Sequence, residues 1–336
     1  MSQASFPTAA IVDVAAAALI NAQGEVLITQ RQAGKHMAGY WEFPGGKVEA
    51  NELISEALSR ELQEEIGVTP VTSRPLITLE HAYSEKTVRL HVSVVSYWDG
   101  EVRSAEGQAI KWINAADLPS ENLLPADKPI ADALMLPPII GITVDGNGVD
   151  DWVECVTCQS TCLSDRLNIL KQQRLVPAGV KPFQLLRTTG ELSTSALDSD
   201  LVVRMTYADL ESESNPLHLR SKDLKGYHSG QREKWLSASV HSLEELLLAE
   251  QVGCDFVLLG SVQSTASHPD IQPLGWDKFT RIVSRASIPV YALGGCGMGE
   301  LVQAWKAGAQ GVAGISEFSG ESPDSFKSLD LESAAG

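Results

Sequence analysis

The chain has 336 residues, of which 43% are hydrophobic and 21% are charged, so it is predicted to be a globular protein of about two domains. Its formal net charge of −17 disfavours binding to a nucleic-acid polymer or to an anionic membrane, because both are negatively charged themselves. Five cysteines, an odd number, and the lack of a secretory leader favour a reducing, cytoplasmic environment.

The first predicted elements are two strands joined by a hairpin. Residues 11–20 and 25–29 are apolar runs, and the turn between them reads Asn-Ala-Gln-Gly. A polar loop with two glycines follows over residues 30–40, and residues 41–46 form a short strand that turns into a helix. This helix is predicted over residues 51–66, which contain no glycine or proline, and Gly67 ends it.

Three acidic side chains converge on one face of this helix. At about 100° per residue, Glu61, Glu64 and Glu65 fall within an arc of roughly 100°. A solvated helix face normally mixes charges of both signs, whereas only Arg60 lies near these carboxylates. Carboxylate oxygens gathered in this way suit Mg²⁺ or Mn²⁺, which also bind the phosphates of a substrate. The helix therefore predicts a divalent-metal site.

After the helix, strands are predicted over residues 78–83, 88–98 and 110–113, followed by a loop over 118–127 and a closing helix over 129–134. The pattern indicates an α/β/α sandwich in which the acidic helix packs on a mixed sheet. Residues 135–138 include two prolines that interrupt the closing helix, so the first domain is predicted to span residues 1–134.

The acidic helix and its flanks resemble a known family. From Gly46 to Val68 the chain reads Gly-x5-Glu-x7-Arg-Glu-Leu-x-Glu-Glu-x-Gly-Val, which fills every fixed position of the Nudix box. Residues 12–134 are similar to the MutT-type Nudix hydrolases, the 8-oxo-dGTP diphosphatases, above all in the segments ITQRQAGKHMAGYWEFPGGKVE, WDGEVRSAEGQ and LLPADKPI. The resemblance implies that a metal-activated water attacks a phosphorus of a nucleoside triphosphate, which yields the monophosphate and pyrophosphate.

The same resemblance assigns roles to individual residues. The metal ligands that it implies are the carboxylates of Glu61, Glu64 and Glu65 and the backbone carbonyl of Gly45. Glu106 matches a further family carboxylate, which is either a metal ligand or a catalytic base. Arg60 is expected to orient the carboxylates from behind, and Glu52 to brace the adjoining loop. Arg31 is expected to hold a substrate phosphate, and Phe43 is counted among the substrate-binding residues.

One position departs from the family pattern. In the family, an asparagine recognises the oxidised purine, because its amide offers both a hydrogen-bond donor and an acceptor. In this chain, Asp127 stands at that position. An ionised carboxylate offers only acceptors, so it suits the N7–H group of 8-oxoguanine and repels O6 unless it is protonated. Asn122, five residues earlier, is the alternative base reader if the loop is shifted.

Beyond residue 138, short apolar strands alternate with helical segments. Eight strands are predicted, near residues 139–144, 181–186, 201–205, 216–219, 235–240, 255–260, 288–293 and 311–315. This pattern indicates a (β/α)₈ TIM-like barrel over residues 138–320, with clear helices at 243–252, 276–285 and 298–307. Connections between the second and fifth strands are short, so the barrel is expected to be partly trimmed. Residues 321–336 predict a flexible tail.

Three features of the barrel half invite a chemical interpretation. A C-x2-C-x3-C motif is formed by Cys155, Cys158 and Cys162. No fourth ligand lies close to it, so we interpret these cysteines as small packing residues of one helix. Gly294, Gly295 and Gly314 end the seventh and eighth strands, where barrels commonly bind phosphate, although glycines also serve as simple turns. His241 ends the fifth strand on the face that carries barrel active sites, although a lone histidine is more often structural.

A second resemblance appears in this half. The segments SASVHSLEELLLAEQVGCDFVLLGSV and IPVYALGGCGMGELVQAWKAGAQGVAGIS are similar to the thiamine phosphate synthase and thiazole tautomerase superfamily. His241 falls on the catalytic histidine of the tautomerases. The synthase signature is incomplete, because residues 184–189 lack its lysine, its Asn-Asp-Arg motif is missing and only Asp223 remains at a metal position. The resemblance implies a thiazole or thiamine phosphate ligand without synthase activity.

Two alternatives remain open at this point. In the first alternative, the Nudix half hydrolyses another diphosphate, such as a thiamine-pathway intermediate. In the second, the barrel is a non-catalytic sensor or docking module that regulates the Nudix half.

Overall fold

The computed structural model describes residues 11–83, 86–144, 162–187, 203–207, 217–227, 235–265 and 272–314. Cys155, Cys158 and the predicted tail lie outside these ranges, while Cys162 is a free thiol in a helix that is described over residues 162–172. None of the helices within the described ranges has the length and apolar character needed to cross a bilayer.

The described part of the amino half forms two sheets and two helices. Its elements are β1 (Ile11–Leu19), β2 (Val26–Gln30), β3 (Trp41–Glu42), β4 (Gly45–Lys47), α1 (Ile54–Ile66), β5 (Thr69–Ala82), β6 (Thr87–Asp99), β7 (Ile110–Ile113) and α2 (Lys128–Met135). One sheet has the order β4-β1-β6-β5 and the other the order β3-β2-β7. β1 and β6 run parallel and the other pairs are antiparallel, which confirms the predicted mixed sheet.

The first two strands are joined by the predicted hairpin turn but belong to different sheets. The Asn21 side chain closes the turn, because its oxygen accepts from the backbone N–H groups of Gln23 and Glu25, each at 2.9 Å. Both edges of β1 are already occupied, by β4 and by β6. β2 therefore meets β1 through a single bridge between Ile20 and Val26 and pairs elsewhere.

Helix α1 begins at Ile54 rather than at residue 51, because Asn51 adopts a left-handed conformation with φ of 66°. Glu56 caps the start by accepting from the Leu53 N–H at 3.0 Å, and Gly67, with φ of 74°, ends the helix. One face of α1 is buried against alanines of β1, through Ala57, Leu58, Leu62 and Ile66. The acidic face consequently points away from the core.

The carboxyl half is a closed barrel of eight parallel strands. Its described elements are β8 (Ile139–Val144), α3 (residues 162–172), β9 (Phe183–Arg187), β10 (Val203–Tyr207), β11 (Leu217–Leu219), β12 (Leu236–Val240), α4 (Leu243–Val252), β13 (Phe256–Gly260), α5 (Trp276–Val283), β14 (Val290–Leu293), α6 (Leu301–Lys306) and β15 (Gly311–Gly314). Each strand pairs with the next, and β15 pairs with β8. Between β9 and β12 the described residues include a 3₁₀ segment, Ser221–Gly226, but no α-helix, which fits a partly trimmed barrel.

The two halves pack together at the amino-terminal ends of the barrel strands. Arg74 of β5 is buried, donates from Nη2 to the Leu175 carbonyl at 3.0 Å, and lies 4.7 Å from the centre of the Trp305 ring. Ser96 of β6 donates from Oγ to the Arg174 carbonyl at 3.0 Å. These contacts attach the sheet of the amino half to α6 and to the segment that follows α3.

The last residues of α2 and those that precede β8 pack into different apolar cores. Leu134 belongs to the apolar core of the amino half. Leu136 instead packs inside the barrel with Ile140 and Tyr291, and the first barrel strand begins at Ile139.

Candidate active site

A cavity of about 410 Å³ opens in the amino half beside the glycine turn at Gly45 and Gly46, and no residue of α1 is among those that line it. Its walls come from the loop after β2, the β3–β4 turn and the residues that precede α2. Four of the site residues expected from the sequence line it, namely Arg31, Phe43, Gly45 and Asp127. The fold thus gathers residues that are far apart in the chain.

Arg60 organises the carboxylates on α1. Its Nε and Nη2 atoms donate to the two carboxylate oxygens of Glu52 at 2.8 and 2.9 Å, and Nη1 donates to Glu61 at 2.8 Å. Nη1 also lies 3.6 Å from the Glu64 carboxylate. The hydrogen bonds from Arg60 lower the pKa of Glu52 to about 2, so Glu52 is ionised at neutral pH and fixes the guanidinium. Arg60 thus joins Glu52 to the carboxylates of α1, and Glu52 also accepts from the Glu49 N–H at 2.8 Å in the loop that it is expected to brace.

Glu65 reaches from α1 to the glycine turn. Its Oε2 atom accepts from the Gly45 N–H at 3.0 Å. Burial is the main cause that raises the pKa of Glu65 to about 7, opposed by that hydrogen bond and reinforced by the charges of Glu42, Glu106 and Glu61. Three other carboxylates therefore lie close enough to disfavour a negative charge on Glu65.

The two glycines of the turn allow this close approach. Gly45 has φ of 149°, and a Cβ atom there would lie 2.1 Å from the Ala15 carbonyl oxygen. At Gly46 a Cβ atom would lie 2.2 Å from the carboxylate carbon of Glu61. A side chain at either position would push the turn away from β1 or from α1.

The chemistry of this donor set fits a divalent cation. Hard carboxylate oxygens are the ligands that Mg²⁺ prefers, and a cation would relieve the repulsion that surrounds Glu65. Within the described ranges, no three His, Cys, Asp or Glu side chains are already gathered as ligands of one ion. Arg60 provides a reason, because it draws Glu61 and Glu64 towards itself.

Glu106 is placed near α1 by Gln108, which the sequence analysis did not single out. Gln108 is buried, its Nε2 donates to the Glu65 carbonyl at 2.8 Å, and its Oε1 accepts from the Glu106 N–H at 3.2 Å. The Glu106 carboxylate lies 3.5 Å from the Lys35 ammonium group. The available signal was the position of Gln108 at the end of the AEGQ segment.

Glu42 is a second residue that sequence reasoning missed. Its carboxylate forms an ion pair with Arg31, whose Nε also donates to the His36 carbonyl at 2.8 Å. Burial raises the pKa of Glu42, and Arg31 opposes that shift. Arg31 therefore enters the cavity already paired with a carboxylate.

Asp127 is the buried carboxyl group of the cavity. It is 4% exposed, and its Oδ2 accepts from the Phe43 N–H at 3.2 Å. Burial and then the charge of Glu42 raise the pKa of Asp127 to about 8, while the Phe43 N–H and Arg31 oppose the shift. Asn122, in contrast, has an exposed side chain outside the cavity lining, and its carbonyl accepts from the Trp41 N–H at 2.9 Å.

The residues expected to form a site in the barrel lie at the carboxyl-terminal ends of its strands. His241 follows β12, is 58% exposed, and has Nδ1 3.0 Å from the Glu245 carboxylate. Gly294 and Gly295 follow β14 with φ values of 90° and 66°, and the Gly294 carbonyl accepts from the Gln263 N–H at 3.0 Å. Gly314 is the last residue of β15. The glycine turn is thus packed against the loop that follows β13.

An acidic helix organised by one arginine, packed on a mixed sheet beside a glycine turn, defines the class of protein: a Nudix-type hydrolase of phosphorus-containing anhydrides. Residues 15–133 match the family model described as NUDIX domain. The 8-oxo-dGTP diphosphatase of Escherichia coli (strain K12) is 36% identical over 119 residues, which cover 35% of this chain and 92% of that protein. The CTP pyrophosphohydrolase of the same organism is also 36% identical over 119 residues, 35% of this chain and 88% of that protein. The chain belongs to the Nudix family.

The carboxyl half is similar to a different family. Residues 205–318 match the model described as thiamine monophosphate synthase. The putative thiamine-phosphate synthase 2 of Aquifex aeolicus (strain VF5) is 44% identical over 80 residues. These residues are 24% of this chain and 43% of that protein, so the chain covers less than half of that relative. The two matches together show a fusion of a Nudix domain with a thiamine-phosphate-synthase-like barrel.

Proposed function

We propose that the amino half is a Mg²⁺-dependent nucleoside triphosphate diphosphatase that hydrolyses 8-oxo-dGTP to 8-oxo-dGMP and pyrophosphate. The observation that carries the proposal is one continuous cavity lined both by the glycine turn beside the acidic helix and by the buried Asp127. A nucleotide fits this division, with its phosphates at the glycine turn and its base beside Asp127. The similarity to an 8-oxo-dGTP diphosphatase supports the same assignment.

In this proposal the chain holds the cation through Glu61, Glu64, Glu65, Glu106 and the Gly45 carbonyl. When bound, a divalent cation neutralises phosphate charge and activates the attacking water. Arg60 and Glu52 fix the orientation of the carboxylates, and Arg31 places a positive charge inside the cavity.

A panel of nucleotides tests the proposal. Pyrophosphate release from 8-oxo-dGTP, dGTP, dCTP and CTP should be measured with the full chain, with and without Mg²⁺. We expect 8-oxo-dGTP to have the highest kcat/KM, with activity dependent on the metal. CTP belongs in the panel because a CTP pyrophosphohydrolase is equally similar to this chain. A preference for CTP, or for a diphosphate of the thiamine pathway, would replace the substrate assignment but keep the reaction.

For the carboxyl half we infer binding of a small phosphate ester, such as a thiazole phosphate, without synthesis of thiamine phosphate. The match to the thiamine monophosphate synthase model and the glycine turn at the carboxyl-terminal ends of the strands support it. Calorimetry of the full chain with a thiazole phosphate, beside a coupled synthase assay, decides between the outcomes. Binding without synthesis is expected, and measurable synthesis would overturn this inference.

A further inference from the structure

The loop after β2 is tied to the loop that carries Glu106. Gln32 donates from Nε2 to the Glu106 carbonyl, and the Lys35 ammonium group lies 3.5 Å from the Glu106 carboxylate. The Glu106 N–H is held as well, because it donates to Gln108 Oε1 at 3.2 Å. The backbone of Glu106 is therefore fixed on both sides, whereas its carboxylate lies on a side chain that is 43% exposed and pairs with a residue of the other loop.

Lys35 lies among the carboxylates of the site, although the sequence analysis assigned it no role. Burial raises the pKa of Glu42, and the charges of Arg31 and Lys35 oppose that shift. The Lys35 ammonium group is therefore near Glu42 as well as near Glu106. Burial raises the pKa of Glu65 to about 7, and the charges of Glu42 and Glu106 add to the shift. Lys35 thus places a positive charge within this group of carboxylates.

The pair between Lys35 and Glu106 is easily exchanged for other partners. The two side chains are 47% and 43% exposed, and ion pairs with that exposure contribute little to stability, because solvent screens them and ordering them costs entropy. When the Glu106 carboxylate binds a divalent cation, it shares its charge with that cation, which also repels the ammonium group. Lys35 then favours another anion, and a substrate phosphate is the anion expected at this site.

We propose that Lys35 is a further phosphate-binding residue, which exchanges the Glu106 carboxylate for a substrate phosphate when Glu106 turns to the cation. The inference rests on the proposed function, since it requires a nucleotide with its phosphates at the glycine turn. The next residue, His36, lines the same cavity as Gly45, so the loop brings Lys35 to the rim of that cavity. An ammonium group is a compact charge on a flexible stem, which suits such an exchange.

The decisive experiment compares the full-length wild type with Lys35→Met, which keeps most of the side-chain length and removes the charge. Mn²⁺ binding without nucleotide is measured by electron paramagnetic resonance, and KM and kcat for 8-oxo-dGTP are measured with saturating Mg²⁺. Because Glu106 is released from its partner, we expect the Kd for Mn²⁺ to fall by about two- to fivefold. Because a charged contact to phosphate is lost, KM should rise by about tenfold, with kcat within about threefold of wild type.

Two further variants separate this exchange from a structural role or a general effect of charge. Lys35→Arg keeps the positive charge and should hold both affinities within about threefold of wild type. Lys278→Met removes an exposed lysine from α5 of the barrel and should change neither value. Hydrolysis with an unchanged KM in Lys35→Met, or Mn²⁺ binding that is not tightened, would overturn this inference alone. Absence of hydrolysis with every nucleotide would instead overturn the proposed function.

Discussion

The site around the glycine turn of the amino half and the carboxyl-terminal mouth of the barrel both collect polar side chains at strand ends, but their electrostatics differ. At the site of the amino half, burial raises the pKa values of Glu42, Glu65 and Asp127, and neighbouring carboxylates add to the shifts of Glu65 and Asp127. At the barrel mouth, His241 is exposed and already contacts Glu245. Perturbed carboxyl groups that repel one another in a cavity are typical of sites completed by a cation or ligand.

A buried histidine of the barrel also differs from the carboxyl groups of the amino half. His218 of β11 is fully buried, with Nδ1 2.6 Å from Ser237 Oγ and Nε2 2.8 Å from Ser239 Oγ. Burial lowers the pKa of His218 to about 3, so the ring is neutral at physiological pH. Both ring nitrogens of His218 have a serine partner in the barrel wall. The acidic groups of the amino half, in contrast, outnumber their basic partners. The comparison indicates that hydrolytic chemistry lies in the amino half.

The largest expected effect is that of removing one carboxylate from the acidic helix. Glu64→Gln keeps the size of the side chain and its helix propensity but removes a carboxylate that we propose as a metal ligand. We expect nucleotide hydrolysis to fall by ~10²-fold or more, because a metal stabilises several kcal/mol of developing charge. Steady-state kinetics over a range of Mg²⁺ concentrations measures this loss.

The matched control for this change is Glu56→Gln on the same helix. Glu56 caps the Leu53 N–H, and a glutamine oxygen can still accept that hydrogen bond. Its turnover should therefore stay within about twofold of wild type, since it removes a charge away from the site. Equal activities of the two variants would contradict the metal assignment.

A smaller loss is expected when the arginine that organises the carboxylates is altered. Arg60→Lys keeps the charge but cannot donate to Glu52 and Glu61 at once with the forked geometry seen here. We expect the Mg²⁺ concentration for half-maximal activity to rise by about 10- to 100-fold. Arg103→Lys, near the end of α1, is the control and should leave the metal requirement unchanged. A normal metal requirement in Arg60→Lys would argue against its orienting role.

The junction between the halves should affect stability more than activity. Arg74→Ala removes the hydrogen bond to Leu175 and the contact with Trp305, and it leaves a cavity. We expect a loss of about 2–4 kcal/mol in the free energy of unfolding, measured by chemical denaturation, with only a few-fold change in kcat/KM. Arg89→Ala, which breaks a half-exposed pair with Glu80 on the neighbouring strand, should cost less than about 1 kcal/mol. Equal losses for both variants would show that the junction contributes little.

The smallest effect is expected at the barrel mouth. His241→Ala removes a largely exposed side chain and should leave pyrophosphate release from nucleotides within experimental error of wild type. If a thiazole phosphate binds, the same variant tests isomerisation of that ligand, because an imidazole ring can both accept and donate a proton. A large fall in nucleotide hydrolysis would mean that the two halves are coupled. It would contradict the conclusion that hydrolysis depends on the amino half alone.

The sequence by itself determined the elements that depend on local pattern. The acidic helix follows from its composition, spacing and terminal Gly67, and only its start shifted, because Asn51 adopts a left-handed conformation. The eight barrel strands follow from short apolar runs bounded by polar segments, and all eight are found close to their predicted positions. Periodicity and chain breakers act over a few residues, so a sequence displays them directly.

Only the tertiary structure decided how the site is charged. The roles of Glu42 and Gln108 could not be predicted from the sequence. Glu42 pairs with Arg31 and Gln108 donates to the Glu65 carbonyl, and both contacts depend on residues that the fold brings together. The protonation of Asp127 depends on burial and on a neighbour far away in the chain. Desolvation and Coulomb interactions are set by distances in space rather than in sequence, which is why the motif specified the helix but not the state of its cavity.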